Sequence, residues 1–243
     1  MEEKLTKRRR REVAKEQKRK ERQKEILVHK MRKFLVWVFA AGLVLFVGFR
    51  AWGWLSAPSP EVAGIAIEVR EDDWIRGNRQ AQTTLLEYGD YQCPSCATYN
   101  PLVKQIGEEF PDGLKIIYRH FPIPGHQNAI PSAKASEASG RQGKFWEMHD
   151  ILYDRQKDWE SDENAKEKFI EYARELGLDE TKFLSDYDSE EVENKINSDS
   201  SEATAIGVNS TPTFLLNGVR IRPRSYEEFK SLIEAQVKGY TIE

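Results

Sequence analysis

Thr83-Thr84-Leu85-Leu86-Glu87-Tyr88 followed by Gly89-Asp90-Tyr91-Gln92-Cys93-Pro94-Ser95-Cys96 is the stretch on which the fold turns. Residues 83–88 read as a strand, and the two cysteines after them are the only ones in 243 residues. A Cys-x-x-Cys pair that follows a strand and opens a helix is a redox pattern. The first thiol sits where the free amides of the first helical turn stabilise its thiolate. The second, one turn on, can close a disulfide onto it. Cys93 is thus the candidate nucleophile and Cys96 the resolving thiol, whose apolar surroundings would keep its pKa high. Pro94 suits a first helical turn, where its missing amide is not needed. Ser95 offers a hydroxyl near the sulfur but no positive charge, which leaves the oxidising strength open.

The competing readings of the pair are weaker. A structural disulfide across two residues closes almost no loop and adds little by chain entropy. A zinc site needs two more ligands, and His120, His126 and His149 do not fall at ligand spacing with the pair. No metal and no cofactor is called for. Glu87, a carboxylate within an apolar strand, has two readings. It either faces the core beneath the resolving thiol and exchanges a proton with it, or points outward. Pro212, in Thr211-Pro212-Thr213, stands at a strand start. A cis bond there would let the backbone beside Thr211 pair with a substrate chain, and a trans edge proline is equally allowed.

Outward from this stretch the pattern alternates strand and helix. Residues 64–69 read as a first strand, 72–78 as a turn or short helix, and 83–88 as the second strand. Residues 99–110 continue the redox helix and 114–119 form a third strand, so that the crossover gives parallel pairing. Helical patterns over 129–140, 144–153, 163–176, 179–187 and 190–205 then follow without a strand. Trp146, Tyr153 and Trp159 in these helices are core positions rather than a binding patch. Asn217-Gly218 between residues 213–216 and 219–221 marks a hairpin. Ser225 with Glu228 marks a capping box ahead of a last helix striped by Phe229, Leu232, Ile233 and Val237.

Charge divides the chain. Residues 1–33 hold 15 Lys or Arg against 6 Glu, whereas residues 34–243 hold 22 basic and 34 acidic side chains, nets of +9 and −12. The basic arm has no interleaved aromatic residue, so no specific nucleic-acid partner is expected; anionic lipid is the partner its charge suits. Residues 34–55 are apolar enough, at about 33 Å as a helix, to predict a transmembrane anchor. The positive-inside rule then places the arm in the cytoplasm and residues 56–243 outside a plasma membrane crossed once.

Four motifs together carry a family resemblance: residues 87–96, Tyr118-Arg119-His120-Phe121-Pro122, residues 143–149 and Gly207-Val208-Asn209-Ser210-Thr211-Pro212-Thr213-Phe214. Over residues 62–240 the chain resembles the DsbA-like thiol–disulfide oxidoreductases, and among them the membrane-anchored bacterial branch. The resemblance implies an α/β fold: a thioredoxin-like central sheet with an inserted all-helical subdomain, here preceded by one transmembrane helix. The implied division is arm 1–33, anchor 34–55, linker 56–61, thioredoxin-like domain 62–126 and 208–243, and helical insert 127–207. It further implies Cys93 as attacking and Cys96 as resolving cysteine, Glu87 as buried proton-relay acid, and Pro212 as cis-proline, with Pro94, Ser95 and Thr211 meeting the substrate. The implied activity is disulfide introduction into unfolded or reduced exported proteins, with reoxidation by a membrane quinone-linked partner. A departure is Ser95, where the best-known oxidases carry His. An isomerase or reductase of the same fold, or a membrane-anchored chaperone, are the alternatives; a Cys93→Ala variant with full activity would favour the last.

Overall fold

A computed structural model describes residues 64–239, together with the helical positions Met31, Trp37, Gly42 and Phe46. Compact units fall at residues 1–61 and 62–243; the account that follows concerns the second. Its elements in chain order are β1 (Trp74–Gly77), β2 (Thr83–Gly89), α1 (Pro94–Glu109), β3 (Leu114–His120), α2 (Ala129–Gly140), α3 (Phe145–Asp154), α4 (Gln156–Trp159), α5 (Ala165–Glu175), α6 (Glu180–Tyr187), α7 (Glu190–Ala205), β4 (Thr213–Leu216), β5 (Val219–Ile221) and α8 (Tyr226–Val237).

The sheet runs β1-β3-β2-β4-β5, parallel between β2 and β3 and antiparallel elsewhere. Every residue of the central strand β2 is buried, because helices cover both faces and period-2 alternation then offers no solvent side. On one face Leu85 and Ile116 pack against Val103 and Ile106 of α1 and Phe229 and Ile233 of α8. On the other, Leu86, Ile117 and Leu215 meet Ala203 of α7. A third cluster joins Cys96 and Tyr118 to Phe145, Met148, Leu152, Trp159 and Phe169 of the inter-strand helices. A thioredoxin-like sheet with a helical insertion is therefore the architecture, as the family resemblance implies.

Local chemistry explains the joints. Asn217 (φ 48) and Gly218 (φ 86) both take left-handed backbone, which the tight β4–β5 hairpin requires. A Cβ on Gly89 would overlap the Tyr118 ring, so glycine at the end of β2 lets that ring lie against the strand. Ser225 Oγ accepts from Glu228 N at 3.2 Å, while the Glu228 carboxylate accepts from Arg224 N, one residue beyond the reciprocal partner of a capping box.

Two strand readings change. Residues 72–78 contain β1, a true strand pairing antiparallel with β3 from Trp74↔Tyr118 to Gly77↔Lys115. Residues 64–69 are extended but form no ladder: Ile65 N–H bonds Gly218 O at 2.9 Å, while Ile65, Ile67 and Val69 rest on the Leu86–Ile117 cluster. The apolar alternation there serves packing alone.

The anchor is corrected more fully. Among the described residues no helix is long and apolar enough to cross a membrane. The longest, α1 and α7, have 16 residues each and carry polar faces, short of the roughly 20 apolar residues a span needs. Of residues 34–55 only Trp37, Gly42 and Phe46 are described, and the rest of the expected anchor, the arm and the linker lie outside the described residues. The transmembrane helix, the anchored-branch assignment and the single-pass plasma-membrane topology are accordingly withdrawn. With them go the quinone-linked partner and the lipid under the arm, both of which presupposed a membrane.

Candidate active site

Cys93 is the N-cap residue of α1, in extended backbone (φ −74, ψ 121), with Pro94 in the first turn. This is where helical amides lack partners and favour a negative charge. The loop that presents it is fastened on several sides. Asp90 Oδ1 accepts from Gln92 N at 2.8 Å, and Asp90 Oδ2 accepts from Ile123 N at 2.9 Å and meets His126 Nδ1 at 2.7 Å. Gln156 Nε2 of α4 donates to the carbonyls of Tyr91 (2.6 Å) and Cys93 (3.1 Å). Gln92 in turn donates to Glu160 O and accepts from Asn128 N, both at 2.7 Å. The helical insertion thus holds the Cys93 backbone from outside the sheet.

Both cysteines carry free thiols. Cys93 retains 8% exposure, whereas Cys96, one turn into α1, has none. The Cys93 pKa is lowered to about 5: a hydrogen bond from the Cys96 thiol contributes most, burial opposes it, and the Thr211 side chain and the amides of Cys96 and Ser95 add to the lowering. Cys96 moves the other way, well above the ordinary thiol value, through burial first and the facing charges of Cys93 and Glu87 after it. The two sulfurs are therefore chemically unequal before any substrate arrives.

The Thr211–Pro212 bond is cis, and the loop it forms faces the pair: Cys93 Sγ donates to Thr211 O at 3.5 Å. The Thr211 hydroxyl has no hydrogen-bond partner among the described residues and is free to donate to a thiolate. Glu87 lies inward on β2, opposite Tyr118 on β3 and Phe214 on β4. It is buried, its Oε1 has no partner among the described residues, and burial raises its pKa to about 8, with the Arg76 charge opposing. Pro94 and Ser95 lie at the start of α1, and Ser95 lines a cleft shared with Thr211 and Pro212. All seven residues singled out from sequence accordingly fall at one end of the β2–α1 unit.

Sequence reasoning missed a buried polar cage next to Cys96 and Glu87. Tyr91 lies 4.9 Å from Tyr153 and 5.5 Å from His149 by ring centroids, and Tyr118 OH bonds Tyr153 OH at 2.9 Å. His149 is kept neutral, its pKa lowered to about 4 by burial; Nδ1 meets Asp150 Oδ1 at 3.0 Å and Nε2 has no partner among the described residues. The available signal was spacing: Phe145, His149 and Tyr153 recur every four residues on one helical stripe.

The thioredoxin family profile matches residues 70–235. The chain belongs to the thioredoxin family. Among curated relatives, this thioredoxin-family chain is 37% identical to Na(+)/H(+) antiporter NhaA 1 of Mycolicibacterium vanbaalenii over 75% of its own length and 30% of the relative's. It is 36% identical to Na(+)/H(+) antiporter NhaA of Herminiimonas arsenicoxydans over 81% and 31%. It thus spans under a third of the length of the curated relatives it matches. Among solved structures, BdbD from Bacillus subtilis superposes with a TM-score of 0.64 at 24% identity, covering 72% of this chain and 99% of that one. Wolbachia pipientis α-DsbA1 gives 0.64 at 18% identity, over 71% and 94%. These likenesses establish a DsbA-like fold. Family and cysteine pair together support a general thiol–disulfide redox function.

Proposed function

We propose that the chain is a protein thiol:disulfide oxidoreductase that introduces disulfides into exported client proteins through Cys93 and Cys96. The observation that carries this reading is the asymmetry of the pair: a Cys93 that keeps a sliver of exposure and a pKa of about 5, beside a Cys96 with no exposure and a raised pKa. A stabilised Cys93 thiolate favours the dithiol form and so makes the disulfide form an oxidant. A pKa near 5 lies below the roughly 7 of thioredoxin and toward the roughly 3.5 of a strong oxidase.

In the forward direction a client thiolate attacks Cys93 Sγ of the Cys93–Cys96 disulfide. The new bond joins client sulfur to Cys93, the old S–S bond breaks, and Cys96 leaves with the electron pair. Glu87, with a pKa of about 8, is largely protonated at neutral pH and supplies the proton that Cys96 takes up. A second client thiolate then attacks the client sulfur of the mixed disulfide and expels Cys93 as the low-pKa leaving group. Two client thiols are oxidised and one protein disulfide is reduced. In reverse, the Glu87 carboxylate accepts the Cys96 proton.

The Thr211–Pro212 loop beside Cys93 supports an extended client segment pairing with its backbone once Thr211 O is released from Cys93. Antiport, named for relatives that this chain covers only in part, forms no part of the proposal. The deciding experiment is equilibration with glutathione. A reduction potential nearer about −120 mV than about −270 mV supports an oxidase; a value at the lower end overturns it in favour of a reductase.

A further inference from the structure

The cleft beside the nucleophile has a charge opposite to that of the rest of the body. It encloses about 240 Å³ between Ser95 and Tyr99 of α1, the Pro212 loop, and Arg220, Arg222 and Pro223 at the edge of the sheet. Among the described residues its only charged lining side chains are the two arginines. Burial alternates along this edge: Ile221 and Pro223 are buried while Arg222 and Arg224 are exposed, so the arginines project outward together. Arg220 is half-buried and donates to Ile206 O at 3.4 Å. Arg222 and Arg224 have no ion-pair partner among the described residues, although residues 34–243 hold 34 acidic side chains against 22 basic ones. Surface arginines in such an acidic body readily find carboxylates, as Arg155 does with Glu175 and Arg174 with Glu180.

We infer that Arg222, with Arg220 and Arg224, selects client segments that carry aspartate or glutamate beside the reacting cysteine. The inference rests on the exchange chemistry proposed above and names the substrate class of that same site. Unpaired arginines at a rim act mainly on encounter, raising the association rate of an acidic partner and lowering that of a basic one. Guanidinium groups also offer forked donors that match a carboxylate. A segment lying along the Pro212 loop with its cysteine at Cys93 would pass between this edge and Ser95.

The test uses the full chain, first converted to its disulfide form, in single-turnover reaction with two dithiol peptides. The peptides differ only in having Asp or Lys on either side of the cysteines. Each rate is divided by the same peptide's rate with bis(2-hydroxyethyl) disulfide, which removes the effect of the flanks on thiol pKa. The expected result is an acidic-to-basic ratio of about 10 at low salt, falling toward 1 near about 0.5 M salt. Arg222→Glu should bring the ratio to 1 or below. Arg141→Glu, the same charge change at the exposed C-cap of α2, should leave it high. Equal rates for the two peptides, or a ratio that Arg222→Glu does not move, would overturn the selection. If the disulfide form also fails to oxidise uncharged dithiothreitol, the exchange reading itself is what has failed.

Discussion

Glu87 and Arg119 stand on adjacent strands, each buried and each ionisable, yet they are built in opposite ways. Arg119 has no exposure, and all of its donors are used. Nε and Nη2 bond the Asp73 carboxylate at 2.9 and 2.7 Å, Nη1 bonds both Glu202 oxygens at 2.8 and 2.9 Å, and Nη2 also reaches Glu68 O at 2.7 Å. Glu87 has an oxygen with no partner and only the remote Arg76 charge to oppose its burial. A satisfied buried charge fixes structure, and an unsatisfied one keeps a proton within reach of the site. Depth of burial does not separate these roles; the completeness of the hydrogen bonding does.

The largest expected effect is at the sulfur itself. Cys93→Ser should abolish dithiol oxidation, read as loss of at least about 10³-fold in peptide oxidation, with the circular dichroism spectrum unchanged. Arg119→Ala comes next and should act on folding alone. It leaves Asp73 with only its Arg70 contacts and a longer one to Lys195, and Glu202 short of its closest partner, so stability should drop by about 3 kcal/mol in urea melts, while any folded fraction keeps the wild-type Cys93 thiolate titration. A lost thiolate titration in the folded fraction would erase the distinction.

Glu87→Gln should do the reverse. Release of Cys96 from the disulfide slows by about 10–100-fold in stopped flow, and the loss grows where the missing proton matters. Its stability signature has a definite sign. The folded pKa of Glu87, about 8, lies above its ordinary 4.5, so ionising it costs stability, which declines from about pH 4.5 and levels off above 8. Cys93 has the opposite sign in the dithiol form. With a folded pKa of about 5 below its ordinary 9.0, its contribution is complete above pH 9 and lost as pH falls through 5. Between pH 5 and 8 the two slopes oppose, each on the order of 1.4 kcal/mol per unit. Relative to wild type, Glu87→Gln should therefore make stability climb more steeply with pH across that window, and Cys93→Ser should make it fall. Identical slopes in all three proteins would mean that Glu87 ionises normally.

The smallest effect is at Ser95. Ser95→His places a cation beside Cys93 when protonated and should lower the thiolate pKa by up to about one unit, making the pair more oxidising. An unchanged Cys93 thiolate titration would discard it.

Legibility in the sequence followed the range of the forces involved. Asn217-Gly218, the Ser225 cap and the Cys93–Cys96 turn are set by neighbours a few residues away, and each lies where local chemistry puts it. Residues 64–69 and 74–77 depart from their local pattern because strand identity there depends on a distant partner: Trp74-Ile75-Arg76-Gly77 is a strand only because β3 lies beside it. The Tyr91, Tyr118, His149 and Tyr153 cage was invisible for the same reason, since it joins a loop, a strand and α3. Residues 34–55 teach a different lesson: apolar length in a sequence licensed an anchor that the described residues do not contain.

The strap over residues 64–70 is pinned at one end to the hairpin tip, through Ile65 and Gly218, and at the other to the Arg119 cluster, through Glu68 O and the Arg70–Asp73 pair. Neither mooring shares a hydrogen bond with the cysteine pair. Between the two moorings, Ile65, Ile67 and Val69 lie on the Leu86–Ile117 cluster. The strap thus works as a clasp, stitching the β4–β5 turn to the ion cluster on β3 across one face of the sheet.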